Sequence, residues 1–207
     1  MVMLSFDESK ALLDQYGIAH SKIYVAKSAK EAVELSKKVG FPVVMKLAST
    51  KILHKTDVGA VKVWLDDEHA VTSTYDYMSK KFPSEPIVVQ RMAKGAQIII
   101  GAKRDPQFGP VVLFGIGGIF VEIIQDVSMR VAPLTREDAF EMMHEIKAAK
   151  FLQGARGRKP VNSDKLADMI VRVSNLMLKE KKIQEIDFNP VIANDNEVLA
   201  VDVRMMV

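Results

Sequence analysis

Cysteine is absent from the 207 residues. That excludes disulfides and thiolate-bound metal, and it suits a cytoplasmic protein. Long hydrophobic runs are missing too, with nothing near the roughly 18 apolar residues of a membrane span. The richest apolar stretch, Pro110 to Ile124, is interrupted by Gly115, Gly117 and Gly118 and carries Glu122. It reads as buried strand and turn. The opening MVMLSFDESK puts Asp7 and Glu8 where a signal peptide needs an apolar centre. Charge of one sign is scarce as well. The 29 basic and 26 acidic residues leave a net charge of +3 and are interspersed, so the chain lacks the basic stripe that nucleic-acid binding favours. The KEKK run at Lys179 to Lys182 lies near a helix end, where cations suit the helix dipole. No internal repeat or low-complexity segment interrupts the chain.

What remains is a globular composition, 48% hydrophobic and 27% charged, sufficient for a real core. The length suits one domain or two small ones of the usual size. Helical and strand patterns alternate. Asp7 to Tyr16 has helical spacing with Gly17 as its stop, and Ser28 with Glu31 predicts a capping box opening a helix closed by Gly40. FPVVMKLA reads as a buried strand, Gly59 to Leu65 as a second, and Asp66 as the cap of a helix running to about Ser79. PIVVQRM and QIIIGAKR predict a hairpin around Lys94–Gly95. GPVVLFGIGG is a further strand, Thr135 with Asp138 another cap, and Ser163 the start of a helix to about Glu180. IQEIDFNPVIA and EVLAVDVRM close the chain as strands around Asn194 to Asn196. The single Trp64 and the scattered methionines read as core. The class is α+β: antiparallel sheets covered by helices, with a subdomain junction near Gln90 to Gly95.

Four segments carry chemistry. Lys46 ends the strand PVVMK; a buried ammonium is costly unless it meets an anion, so it points to phosphate, or else snorkels to water. HKTDVGAV joins His54, Lys55 and a glycine turn, which can wrap phosphates through backbone N–H groups. A histidine there can also accept a phosphoryl group on a ring nitrogen. GIGGIFVE, with Gly117 and Gly118, imitates a dinucleotide fingerprint but is incomplete and has no βαβ crossover; a turn near phosphate fits it better. Arg130 either faces the same phosphate or is an ordinary surface arginine. Asp187 and Asn189, two apart on a strand, share one face, and pairing of the last two strands brings Asp202 beside Asn189. Such oxygens suit magnesium. The alternatives are an Asx-rich strand end, or Asp187 paired with an arginine.

HKTDVGAV, GAKRDPQFGPVVLFGIGGIFVEII, DVSMRVAPLT and EIDFNPVI together resemble the ATP-grasp beta subunit of ADP-forming acyl-CoA synthetases, relatives of succinyl-CoA synthetase, over nearly the whole chain. The resemblance implies an ATP-grasp fold of two α+β subdomains enclosing a nucleotide: residues 18–92 as the lid, residues 93–207 as the C-terminal subdomain, and residues 1–17 packed on the latter. It implies ATP or ADP and Mg2+ as cofactors, and Lys46 on the nucleotide phosphates with Lys55 beside it. Val89, Gln90 and Met92 become the hinge carrying adenine, Asn189 and Asp202 the magnesium ligands, His54 the phosphoryl relay, and Asp187 the acid steadying phosphohistidine. It also implies a cytoplasmic α2β2 assembly with an alpha subunit holding the CoA and acyl chemistry. The sequence departs from the family at Gln97, where a glutamate near the nucleotide is usual, and at Arg91, where an acid is common. Ala60 and Thr56 replace a loop glycine and serine. These departures give some weight to a rival reading, a non-catalytic regulatory module.

Overall fold

The computed structural model describes residues 1–49, 58–117, 126–154 and 159–207. They form two compact units, Ser21–Ala93 and Met1–His20 with Lys94–Val207.

Ser21–Ala93 is a four-stranded antiparallel sheet with helices on one face. Its strands are β1 (Ile23–Ala26), β2 (Val43–Leu47), β3 (Val61–Leu65) and β4 (Ile87–Arg91), in the order β1-β4-β2-β3. The helices α2 (Ala29–Val39) and α3 (Glu68–Lys81) bury Ala32, Val71 and Met78 against Val43, Met45, Leu47, Ile87 and Val89. Both caps differ in detail from the sequence reading. Ser28 Oγ accepts from the Glu31 N–H at 3.1 Å, but Glu31 reaches back to the N–H of Lys27, one residue earlier than a full box requires. Asp67, rather than Asp66, caps α3 through the Ala70 N–H at 2.8 Å.

Trp64 is not core. Val43 pairs with Leu65 and Met45 with Lys62, so Val63 and Trp64 together oppose Val44. The bulge puts Trp64 at φ 58 and leaves it 50% exposed.

The second unit has a six-stranded sheet. Its strands are β5 (Ala96–Asp105), β6 (Gly109–Ile116), β7 (Val127–Val131), β8 (Glu185–Ala193), β9 (Val198–Ala200) and β10 (Val203–Met206), in the order β10-β8-β5-β6-β7 with β9 also on β8. Helices α1 (Phe6–Gln15), α4 (Arg136–Glu145), α5 (Ala149–Leu152) and α6 (Ser163–Lys179) complete it. Ile98, Ile100, Val112, Phe114, Ile186 and Phe188 meet Met142 of α4 and Leu166, Ile170 and Met177 of α6 in one core. Thr135 and Asp138 form the expected capping box on α4; α6 starts at Ser163 as expected, with Asn162 as its cap. A second complete box, Ser5 with Glu8, opens α1. Most methionines are buried, though Met1 and Met129 are exposed.

The hairpin expected at Lys94–Gly95 does not form: β4 and β5 belong to different sheets. Glycine is needed at 95 for another reason. A Cβ there would stand 2.3 Å from the Ala193 carbonyl oxygen, and Asn194 Nδ2 donates to the Lys94 carbonyl at 2.8 Å. The segment is pressed against the end of β8. Gly95→Ala is therefore expected to lower unfolding free energy by about 1–3 kcal/mol, the usual range for overpacking, in a urea titration; an unchanged midpoint would contradict the close approach.

Candidate functional site

On β8, Ile186 and Phe188 enter the helix-covered core, so Glu185, Asp187 and Asn189 face the other way. The strand is then interrupted. Phe188 pairs with Ile100 and Val191 with Ile98, leaving Asn189 and Pro190 opposite Ile99 alone. On its other edge Phe188 pairs with Val203 and Val191 with Ala200, so Val201 and Asp202 lie across from Asn189 and Pro190. Proline has no N–H for the ladder. Instead the N–H groups of Val201 and Asp202 converge on the Pro190 carbonyl at 3.2 and 3.5 Å. The break divides the last strand into β9 and β10 and sets Asp202 beside Asn189.

Asp187 pairs across the ladders with Arg204 and with Gly101. Burial pushes its carboxyl above the usual carboxylate range; the Arg204 guanidinium pulls it back, while Asp202 and Glu185 add repulsion in the same direction as burial. Asp187, Asn189, Asp202 and Arg204 therefore gather on the face away from the helices. Two hard oxygen donors, the Asn189 amide and the Asp202 carboxylate, fit magnesium, which keeps water and phosphate in its other positions. Among the described residues no three acidic, histidine or cysteine side chains are grouped so as to hold a metal ion.

Gln97 is exposed on β5, on this same face. Gly117 donates its N–H to the Gln97 carbonyl at 2.8 Å, and a Cβ on it would approach the Ile98 backbone to 2.5 Å. Packing alone accounts for that glycine. Arg130 is placed elsewhere. It pairs across the ladder with Val112, whose side chain lies in the core, so Arg130 points to the helix-covered face. There it forms an ion pair with Glu145 of α4, which also accepts from Ser128 Oγ at 2.6 Å. Of its two sequence readings, this placement fits the ordinary arginine.

In the other unit, Val43, Met45, Ile87 and Val89 face the helices, and Val44, Lys46, Val88 and Gln90 take the opposite face. All of the latter are buried: Lys46 is 6% and Gln90 3% exposed. The strand continues past Lys46 to Leu47. Val89 is fully buried in the helix-packed core, so its side chain is withdrawn from any ligand. Met92 donates its N–H to the Pro42 carbonyl at 3.1 Å. Gln90 Oε1 is a buried acceptor with no hydrogen-bond donor among the described residues, a state that costs about 1–3 kcal/mol. His54, Lys55 and Gly118 lie outside the described residues.

Two features escaped the sequence reading. Arg204 as the neighbour of Asp187 follows only from strand register. The unpaired Gln90 oxygen follows only from three-dimensional packing. The Asn–Pro dipeptide was the available sign of the break in β8.

Such an arrangement defines the class of protein: the chain belongs to the ATP-grasp family, whose domain model matches residues 2–207. It is 48% identical over 207 residues to the beta subunit of acetate–CoA ligase [ADP-forming] I of Pyrococcus furiosus, covering 96% of this chain and 89% of that protein. It is 39% identical to acetate–CoA ligase [ADP-forming] I of Archaeoglobus fulgidus, where 96% of this chain spans 30% of the relative. Among solved structures, an acetyl-coenzyme A synthetase of Ca. Korarchaeum cryptofilum, in complex with coenzyme A and Ca-AMPCP, superimposes with a TM-score of 0.91 at 42% identity, covering 100% of this chain and 93% of that one. A second structure of that synthetase carries coenzyme A and Mg-AMPPCP, with its phosphohistidine segment pointing towards the nucleotide binding site; its TM-score is 0.85 at 42% identity, over 99% of this chain and 92% of that one. Within the family the chain is a ligase beta subunit of the ADP-forming acyl-CoA synthetase kind.

The placement of Arg130 has a pH signature. Arg130 and Ser128 hold the Glu145 carboxyl below the usual carboxylate range. A folded-state pKa so lowered stabilises the protein above the ordinary carboxylate pKa, and that stabilisation disappears as pH falls through the folded value. Arg130→Gln is expected to be slightly less stable than wild type at neutral pH, to lose that difference on acidification, and to leave Mg-ATP affinity unchanged. Loss of nucleotide affinity in calorimetry would return Arg130 to the binding site.

Proposed function

We propose that this chain is the nucleotide-binding subunit of an enzyme catalysing acyl-CoA + ADP + phosphate ⇌ acid + CoA + ATP. The observation that carries the reading is the mutual interruption of β8 and the last strand, which sets Asn189 and Asp202 together with Asp187 on one face. The resemblance to ligases whose relatives bind Mg-AMPPCP and coenzyme A supports it.

Phosphoryl transfer needs positioning and charge neutralisation more than covalent chemistry from the protein. Lys46 supplies a cation to the nucleotide phosphates. Asn189 and Asp202 hold magnesium, which when bound neutralises phosphate charge. His54 carries the phosphoryl group: an oxygen of the ADP β-phosphate attacks phosphorus, the N–P bond breaks as the O–P bond forms, and neutral imidazole is released. Asp187 is assigned the role of the acid that helps hold the phosphohistidine. Lys55 adds positive charge beside His54, and Gln97 and Gly118 complete the nucleotide contacts.

The CoA and acyl chemistry is assigned to an alpha subunit in an α2β2 assembly. Two observations support a partner. The Pyrococcus relative is itself a beta subunit, and the Archaeoglobus relative is a chain of which this sequence spans 30%. The enzyme is placed in the cytoplasm on its cysteine usage; among the described residues no helix is long and apolar enough to cross a membrane. The regulatory-module reading is set aside, because the relatives cited are ligases.

His54→Ala, assayed with the alpha subunit, is expected to abolish overall turnover while ADP binding stays near wild type; surviving turnover would rule out the relay. Asp202→Ala is expected to weaken magnesium-dependent nucleotide binding by roughly tenfold or more. Calorimetric affinity unaltered by that change would remove Asp202 from the metal site.

A further inference from the structure

Val58 lies four residues after His54, and from it the chain turns through Gly59 into β3. That turn is held from the end of α3. Lys81 Nζ donates to the Val58 carbonyl at 2.9 Å, across 23 residues of sequence, and to the Tyr77 hydroxyl, also at 2.9 Å. Tyr77 precedes Lys81 by one helical turn, so the two side chains share a face. Gly59 takes φ 72, and a Cβ on it would stand 3.2 Å from the Tyr77 hydroxyl and 3.7 Å from Lys81 Nζ. The residue after it is fixed as well: Ala60 is fully buried, and its carbonyl accepts from the Leu47 N–H at 3.0 Å. Lys62 adds a second ammonium, 5.3 Å from the centre of the Tyr77 ring. Lys80 and Lys81 both suit the dipole at the end of α3. The dipole does not account for the bond from Lys81 back to Val58.

We propose that Lys81 is a positioning residue for phosphoryl transfer through His54, an inference that rests on the relay reading. By gripping the Val58 carbonyl, with the Tyr77 hydroxyl bracing the ammonium, it fixes the root from which the chain runs back to the histidine. Four residues span at most about 14 Å, so a rotation at the root is carried to His54 instead of being absorbed by a long tether. Phosphoryl transfer tolerates little misplacement; an error of about 1 Å costs on the order of a hundredfold. The effect of Lys81 therefore falls on the rate at which His54 exchanges phosphate, and nucleotide affinity is left alone.

The test is rapid-quench single turnover with γ-labelled Mg-ATP, using the chain assembled with its alpha subunit. In this direction a ring nitrogen of His54 attacks the γ-phosphorus. The N–P bond forms as the bond to the bridging oxygen breaks, ADP leaves, and the other ring nitrogen keeps its proton. Lys81→Met is expected to slow labelling roughly fivefold or more, while calorimetric ATP affinity stays within about twofold of wild type, less than half a decade of Kd. Lys81→Arg retains a charged donor and should recover most of the rate. Lys80→Met removes the same charge from the same helix end and should label at the wild-type rate. Wild-type labelling in Lys81→Met would overturn the role of Lys81. So would equal slowing in Lys80→Met or Lys81→Arg, or a loss of ATP affinity that matches the loss of rate. Failure of wild type to acquire acid-labile label would overturn the relay reading and this inference with it. Should circular dichroism show Lys81→Met unfolded, Tyr77→Phe decides: it removes only the bracing hydroxyl, and a wild-type labelling rate there overturns the role.

Discussion

A proline without an N–H, placed in the second strand of a six-stranded sheet, is the constraint from which the site follows. Pro190 cannot donate to the ladder, and its own carbonyl gathers the N–H groups of Val201 and Asp202 instead. Two residues on each strand then oppose each other outside regular pairing, and the core-facing parity shifts from Phe188 to Val191 and from Ala200 to Val203. That shift brings Asp202 beside Asn189 without burying either. An unbroken pair would have carried regular alternation straight through this point. Asn189 and Asp202 stay across from each other on the face away from the helices, and the irregularity returns Val191 and Ala200 beyond them to the core.

The same sheet shows how a polar site is kept apart from a stability core. Every second residue of β5 and β6, with Ile186, Phe188, Val191 and Ala193 of β8, enters one apolar layer under α4 and α6, and the polar residues Gln97, Asp187 and Asn189 take the other face. Arg130 illustrates the rule from the other side. Its parity commits it to the helix face, where Glu145 neutralises it. In Ser21–Ala93 the division is repeated: Val43, Met45 and Val89 meet the helices, while Lys46 and Gln90 are buried on the reverse face. Burying polar groups such as an ammonium and an amide there lowers stability unless they are paired.

The element order was legible in the sequence because most caps are local signals. Thr135–Asp138 and the glycine stops at 17 and 40 need only a few neighbouring residues, and Lys46, Asp187, Asn189 and Asp202 stand out as polar groups in apolar strands. What failed was non-local. Lys94–Gly95 has the composition of a hairpin turn, yet Gly95 is demanded by Ala193, nearly a hundred positions away. Trp64 reads as core until the bulge against Val44 turns it outward. Arg130 could not be assigned a face before the register of β7 on β6 was known, and Arg204 emerged only when β10 was laid on β8. Local pattern specifies elements; register decides which side chains meet.

The central claim is that divalent metal and nucleotide phosphate sit at the break in β8. It is tested most directly by substituting Mn2+ for Mg2+ and following the protein's NMR resonances as substoichiometric Mn-ADP is added. Paramagnetic broadening centred on the Asn189 side-chain amide and the Asp202 backbone N–H, and weak at residues on the helix-covered face such as Ser128, is the predicted result. Broadening centred elsewhere, with Asn189 and Asp202 left sharp, would contradict the account.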